Sequence, residues 1–210
     1  MKEASELLTK GLEFLRIPYS GAQIEAFSLY LTELKKWNRA YNLTALKTDT
    51  DIVIKHFLDS LLFLKVLPLN VRSIADIGSG AGFPGLPIKI MRPDIEMVLI
   101  EPVQKKALFL EHMQRQLKVD GLSVRNCRIE DIHDLLVDAA VTRALFSVGE
   151  FINKADRILG EMGVLILSKG PKLEDELRGL ETSGITREDI ILPFEKSIRH
   201  LVIVQKKSQK

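Results

Sequence analysis

Apolar residues follow two different periods along this chain, and the change of period divides it. Up to about residue 70 the spacing is helical. Leu7, Leu8, Leu12 and Leu15 recur three and four residues apart and stop before Pro18. Ser20 can cap a second helix, whose apolar face is Ile24, Phe27, Leu31 and Leu34. A polar stretch, WNRAYNLTALKTD, separates it from a third helix expected over 50–67 and stopped by Pro68.

Beyond residue 70, short apolar runs alternate with helical segments. The pattern predicts strands at 73–77, 96–100, 122–126, 139–142, 164–168, 189–192 and 200–205. Helices are predicted at 86–91, 104–117, 132–136, 148–159 and 173–180. Such alternation means an α/β fold, with a mostly parallel seven-stranded sheet covered on both faces. The link between the last two strands is too short for a parallel crossover, so the final strand is expected to be antiparallel. The division is therefore a helical N-terminal extension, 1–70, and a compact core, 71–210.

Composition adds exclusions. The 210 residues suit one domain with a small appendage. Net charge is +2, from 30 basic and 28 acidic residues, which neither requires nor excludes a nucleic-acid partner. Lys35, Lys36 and Arg39 form one basic patch, and Lys206, Lys207 and Lys210 another; each also reads as solvated surface. The lone Cys127 excludes an internal disulfide, disfavours a zinc site, and fits a reducing cytosol, so a cytoplasmic protein is expected. The first turns carry Glu3, Glu6 and Glu13 and no long apolar run, unlike a signal peptide. No stretch approaches the roughly 20 apolar residues of a membrane span. His112, His133 and His200 share no metal-ligand spacing, so no metal is expected. Without an obvious zipper, the expected state is a monomer.

The segment IADIGSGAGFPG, 74–85, carries the most information. An apolar strand runs into Gly78, Gly80 and Gly82 and then into a helix. Glycines there let the backbone turn with positive φ and let a ligand come close, and such strand ends are where open α/β sheets bind ligands. A dinucleotide fingerprint would need glycine at 83, where this chain has Phe83. Asp76, inside the strand, suits a cationic ligand better than a pyrophosphate. S-adenosylmethionine carries a sulfonium and an amino group that Asp76 would favour, directly or through water. Glu101, at the end of the second strand, can accept hydrogen bonds from ribose hydroxyls; the plainer alternative is a helix cap.

DIGSGAGFPG, together with WNRAYNLTAL, HFLDSL, KKALFLE, VTRAL and SKG in that order, resembles the small-subunit rRNA guanine-N7 methyltransferases, also called glucose-inhibited division protein B. The resemblance covers nearly the whole chain. It implies a Rossmann-like class I methyltransferase core that uses S-adenosylmethionine. The implied substrate is 16S rRNA, free or in an assembly intermediate of the small subunit. It places cofactor contacts on Gly78, Phe83, Ile129, Glu130 and Arg143. The family usually has alanine where this chain has Ile129. By position, Ile129 and Glu130 follow the third strand and could meet an adenine edge. Arg143 ends the fourth strand; it reads as a site residue or as a surface salt bridge. Phe83 reads as a pocket wall or as plain core.

Guanine N7 is an unprotonated lone-pair nucleophile, so no essential catalytic base is expected. Methyl transfer needs alignment and exclusion of water. Asn42, His56, Asp59 and Arg143 are candidate substrate contacts, although His56 could equally be a packed helix residue. Trp37, Arg39 and Lys169 are candidate RNA contacts, since RNA sites stack bases on aromatic rings and grip phosphates with cations. Trp37 could also simply pack the extension onto the core. The alternative function is methylation of a small molecule or a protein.

Overall fold

The computed structural model describes residues 2–171, 173–178, 180 and 184–206. Lys207 and Lys210 of the second basic patch, and residue 179 of the last expected helix, lie outside them. The chain opens with α1 (Lys2–Leu15) and α2 (Gly21–Tyr41). Ser20 does cap α2: its hydroxyl accepts from the Gln23 amide while the Gln23 side chain accepts from the Ser20 amide. The third helical segment starts as α3 (Asp49–Ile52), widens into a π-helix over Val53–Leu58, resumes as α4 (Asp59–Leu61) and tightens to 3-10 over Leu62–Lys65.

The strands are β1 (Ser73–Ile77), β2 (Glu96–Ile100), β3 (Leu122–Arg125), β4 (Val137–Arg143), β5 (Leu159–Lys169), β6 (Ile185–Ile191) and β7 (Ile198–Gln205). They form one sheet in the order β3-β2-β1-β4-β5-β7-β6. Only β7 runs against the rest, pairing antiparallel with both β5 and β6. Between strands lie α5 (Gly85–Met91), α6 (Gln104–Leu117), α7 (Val148–Ala155) and α8 (Leu173–Leu177).

Several expected limits differ: the helix expected over 173–180 ends at Leu177, and the strand expected at 189–192 begins at Ile185. The segment 132–136 is not helical; a 3-10 turn over Ile129–Asp131 precedes it, and Ile132 is buried without a helix. The helix expected over 148–159 ends at Ala155, because Leu159 already pairs with Val137 at the start of β5.

Alternation along the strands sorts side chains to two faces. Ile74, Leu99, Val141 and Ile166 share a core with Leu12, Phe27, Leu34, Phe57 and Phe109, so the N-terminal helices pack on the same face as α5 and α6. Ala75, Ile77, Ala140 and Leu167 face Val148, Phe151 and Leu173, under α7 and α8. Among the described residues no helix is long and apolar enough to cross a membrane, and no cluster of His, Cys, Asp or Glu could hold a metal.

Candidate active site

The C-terminal ends of the parallel strands converge on two adjoining regions. The first is the loop after β1. Gly80 (φ 61°) and Gly82 (φ 101°) take left-handed backbone that favours glycine. A Cβ on Gly82 would strike Leu86 and the Tyr30 hydroxyl. A Cβ on Gly80 would meet nothing nearer than the Gly78 carbonyl, at 3.9 Å, so this position faces open space. The amides of Gly78 and Ser79 both donate to the Ile100 carbonyl, at 2.8 and 3.1 Å. Glu101 completes the tie: its Oε2 accepts from the Gly80 amide (2.7 Å) and its Oε1 from the Val103 amide (2.9 Å). The carboxylate is thus buried at the crevice and has no salt bridge among the described residues. It remains able to accept further bonds, since a carboxylate offers about four lone-pair sites.

Asp76 lies beneath this loop, fully buried. Its Oδ2 accepts from the Gly85 amide (2.8 Å), and its Oδ1 is buried without a hydrogen-bond partner. Burial pushes its carboxyl up to about 7, against the opposing effects of the Gly85 and Ser79 hydrogen bonds and of Arg143. Expected as a neighbour of a cationic ligand, it sits beneath the glycine loop, fully buried. Ile129 is buried in the turn after β3, with its carbonyl held by Arg157. Glu130 is exposed and ion-paired with Lys154.

The second region is the junction of sheet and N-terminal helices. Arg143, ending β4, reaches across it. Its Nη1 donates to the Lys55 carbonyl (3.0 Å) and to Asp59 Oδ2 (3.1 Å), and its Nη2 to His56 Nδ1 (2.9 Å). The guanidinium lies 5.2 Å from the centre of the Phe83 ring, on which His56 also stacks at 4.3 Å. Because a guanidinium only donates, His56 Nδ1 must accept, and the ring proton sits on Nε2, facing the Thr44 hydroxyl at 2.7 Å. Burial, then the charge of Arg143, hold the imidazole down to about 3, so it is neutral. The π-helix carries His56 within this network, and the Ser60 hydroxyl takes up the His56 carbonyl at 2.6 Å.

Sequence reasoning brought His56, Asp59, Phe83 and Arg143 forward separately; the structure joins them. It missed three partners. Arg199 of β7 donates to Asp59 Oδ1 at 2.6 Å, so the carboxylate lies between two guanidiniums. Tyr30 of α2 stacks on Phe83 and donates to the Ala81 carbonyl at 2.5 Å. Leu145, half exposed, lies against Gly78, where any Cβ would collide with it. The helical spacing of Phe27, Leu31 and Leu34 put Tyr30 on the buried face; nothing local marked Arg199 or Leu145.

The remaining candidates separate. Asn42 is the exposed left-handed cap of α2 (φ 50°). With Lys35, Asn38, Arg39, Thr44 and Lys47 it lines a basic pocket of about 410 Å³ beside His56. Trp37 packs against Phe109, His112 and Tyr41, holding α2 to α6. Lys169, expected to face RNA, is instead buried: it pairs with Glu176 at 2.7 Å and donates to the Phe146 carbonyl at 2.6 Å. It thereby braces the loop that holds Leu145.

A family model described as rRNA small subunit methyltransferase G matches residues 23–202. The chain belongs to this family. Among the family's proteins, the ribosomal RNA small subunit methyltransferase G of Geobacter sp. strain M21 is 36% identical, over 97% of this chain and 98% of its own length. That of Syntrophotalea carbinolica is 36% identical over 85% and 87%. Among solved structures, M. jannaschii TYW2 in complex with AdoMet superposes with a TM-score of 0.51 at 13% identity, covering 71% of this chain and 74% of that one. At that identity the likeness speaks to fold: a class I methyltransferase sheet with its antiparallel last strand, as the family resemblance implies.

Proposed function

We propose that this protein transfers a methyl group from S-adenosylmethionine to N7 of a guanine in 16S rRNA, free or within an assembling small subunit. In this reading residues 71–210 form the catalytic core and 1–70 help recruit RNA. The observation that carries it is the adjacency of two unlike regions at one sheet end, in a member of this family. One is an open glycine crevice bordered by buried carboxylates. The other is a rim where Arg143 and Arg199 outnumber Asp59.

The crevice fits an adenosyl sulfonium. Gly80 leaves room for a close approach, Glu101 can accept from ribose hydroxyls, and Asp76 and Glu101 make the local field suit a cation. In this reading a backbone amide of the Ile129–Glu130 turn meets the adenine edge. S-adenosylmethionine supplies an electrophilic methyl on sulfur. The chain supplies position and exclusion of water. No side chain needs to take a proton from N7. In keeping with that, His56 is neutral and both its ring nitrogens are engaged, so it orients Arg143 and Phe83 and is no base. Two guanidiniums around one carboxylate leave the rim net positive, which suits a phosphate backbone.

The test is methylation of small-subunit rRNA and of small subunits by the purified protein with methyl-labelled cofactor, followed by mapping of the modified nucleotide. Label at a guanine, lost on depurination under conditions selective for N7-methylguanine, is the expected result. Label in protein or in a small molecule would overturn the substrate.

A further inference from the structure

The turn between β6 and β7 carries features that neither packing nor the methyl-transfer site accounts for. Because β6 runs in the same direction as β5, this turn lies at the sheet end where β4 delivers Arg143 and β1 delivers the glycine loop. It is firmly built. The Leu192 amide donates to the Ser197 carbonyl (3.0 Å), the Glu195 amide to the Leu192 carbonyl (3.1 Å), and the Ser197 hydroxyl to Glu195 Oε2 (2.8 Å). Leu192 is fully buried beneath it. Two ion pairs tie the hairpin to the π-helix segment: Glu195 with Lys55 (3.6 Å) and Arg199 with Asp59 (2.6 Å). Lys55 is also the residue whose carbonyl Arg143 holds.

At the apex of this rigid turn sits Phe194, at φ 65° and 52% exposed. A bulky side chain in left-handed backbone is disfavoured, and glycine would fill the position with less strain. An exposed ring gains little from burial to offset that strain. Strained residues held by well-determined surroundings point to function rather than to folding. Beside it are exposed Lys196, with no salt bridge among the described residues, and Ile198, 47% exposed. A rigid, outward aromatic with a neighbouring cation is the chemistry that binds an unpaired base and the phosphate next to it.

We propose that Phe194 is a stacking platform for an unpaired base of the RNA substrate flanking the target guanine, with Lys196 on the adjacent phosphate. This rests on the rRNA reading above. The turn's continuity with the Arg143–Asp59–Arg199 rim favours RNA over a protein partner, since the cations on that surface exceed its carboxylates.

The experiment measures binding of free 16S rRNA and of small subunits to wild type, Phe194→Gly and Phe194→Trp, each across a salt series, with S-adenosylmethionine affinity alongside. Phe194→Gly keeps the turn, because glycine accepts φ 65°. It should raise Kd for free rRNA about 5- to 150-fold, the range for losing one base–aromatic stack. The salt slope should not change, because no charge is removed. Phe194→Trp should stay near wild type, and cofactor affinity should be the same in all three. Wild-type binding in Phe194→Gly would overturn the proposal. So would a Trp variant as weak as Gly, which would mark a merely structural role, or a loss seen with subunits but not with free rRNA, which would mark a ribosomal protein contact. If wild type binds rRNA with this Phe194 dependence yet transfers no methyl to it, the reaction falls and the platform stands.

Discussion

The glycine crevice and the helix–sheet junction sit side by side but are held in place by different means. In the crevice the backbone decides the geometry, through left-handed glycines and amides that find acceptors nearby. The side chains that reach it bond to its backbone: Glu101 takes the Gly80 amide across 21 positions, and Tyr30 donates to the Ala81 carbonyl across 51. In the junction, side chains decide. Arg143 meets Asp59 across 84 positions and Arg199 meets it across 140. A backbone-built site can lose its ligand and keep its fold. A buried charge network cannot lose a member without leaving another charge uncompensated. Substitutions in the two regions should therefore fail in different ways.

The largest effect is expected in the crevice. Gly80→Val places a branched side chain in the open space a ligand needs, at φ 61°. Affinity for S-adenosylmethionine should fall roughly 1000-fold, or about 4 kcal/mol, while left-handed strain lowers stability by only about 1–2 kcal/mol. Calorimetry on a variant shown to be folded measures both. A variant that unfolds, or one that still binds, would break the contrast.

Next comes Arg143→Ala, which should destabilise the fold by about 3 kcal/mol, because Asp59 is left with Arg199 alone and His56 Nδ1 with no donor. Lysine should not rescue it, since one ammonium cannot replace a fork that reaches three acceptors. Urea unfolding decides. A fully stable Arg143→Ala that merely loses activity would show that the junction is not held by its charges.

Asp76 belongs to the crevice but is buried like a junction residue, so it tests where the boundary lies. Its folded-state value, about 7, lies above the ordinary carboxylate value. Between about pH 4 and 7 the folded state then holds a proton that the unfolded state has lost, and stability falls as pH rises through that window. The contribution is complete below about pH 4 and gone above 7. Relative to Asp76→Asn, wild type should lose stability steadily across it. Parallel pH profiles of thermal stability for the two proteins would place Asp76 outside the buried set.

The same contrast explains what could be read from the chain alone. Strands β1 and β2 match their expected limits residue for residue, because each is an apolar run stopped by a glycine or by Glu-Pro. The antiparallel β7 followed from a short link. The left-handed turn at glycines 78, 80 and 82 was legible because glycine's backbone freedom is a local property. The π-helix was not: a helix expected over 50–67 does not reveal one wider turn, yet that turn helps set where His56 and Asp59 fall. β5 begins before its apolar run, because pairing of Leu159 with Val137 outweighs the helical look of 148–159. Arg199 was invisible as a partner, since β7 alternation shows which side it takes and not what it meets. Lys169 reads as a surface cation until Glu176 is seen to bury it.

The smallest expected effect asks whether the junction extends to RNA. Arg39 is exposed on α2 and has no salt bridge among the described residues. Its neighbours are already engaged, Lys35 by Asp49 and Lys36 by Glu33. It lines the basic pocket with Asn42 and Thr44, and Thr44 bonds His56. That bond takes the His56 proton, and the Leu46 amide also donates to Thr44, so the Thr44 hydroxyl hydrogen is left for the pocket. The pocket is thus one hydrogen bond away from the ring that orients Arg143. A phosphate held there by Arg39 would bring the RNA backbone to the junction without touching the crevice. Arg39→Ala should weaken rRNA binding a few-fold and lower the salt slope by about 0.7–0.9, the signature of one lost phosphate contact. Cofactor affinity and fold stability should be unaffected, because the side chain is solvated. Lys36→Ala is the control and should move the slope less, since Glu33 already offsets that charge. An unchanged slope for Arg39→Ala would detach the pocket from the interface and shift the RNA surface toward Arg199 and the β6–β7 turn.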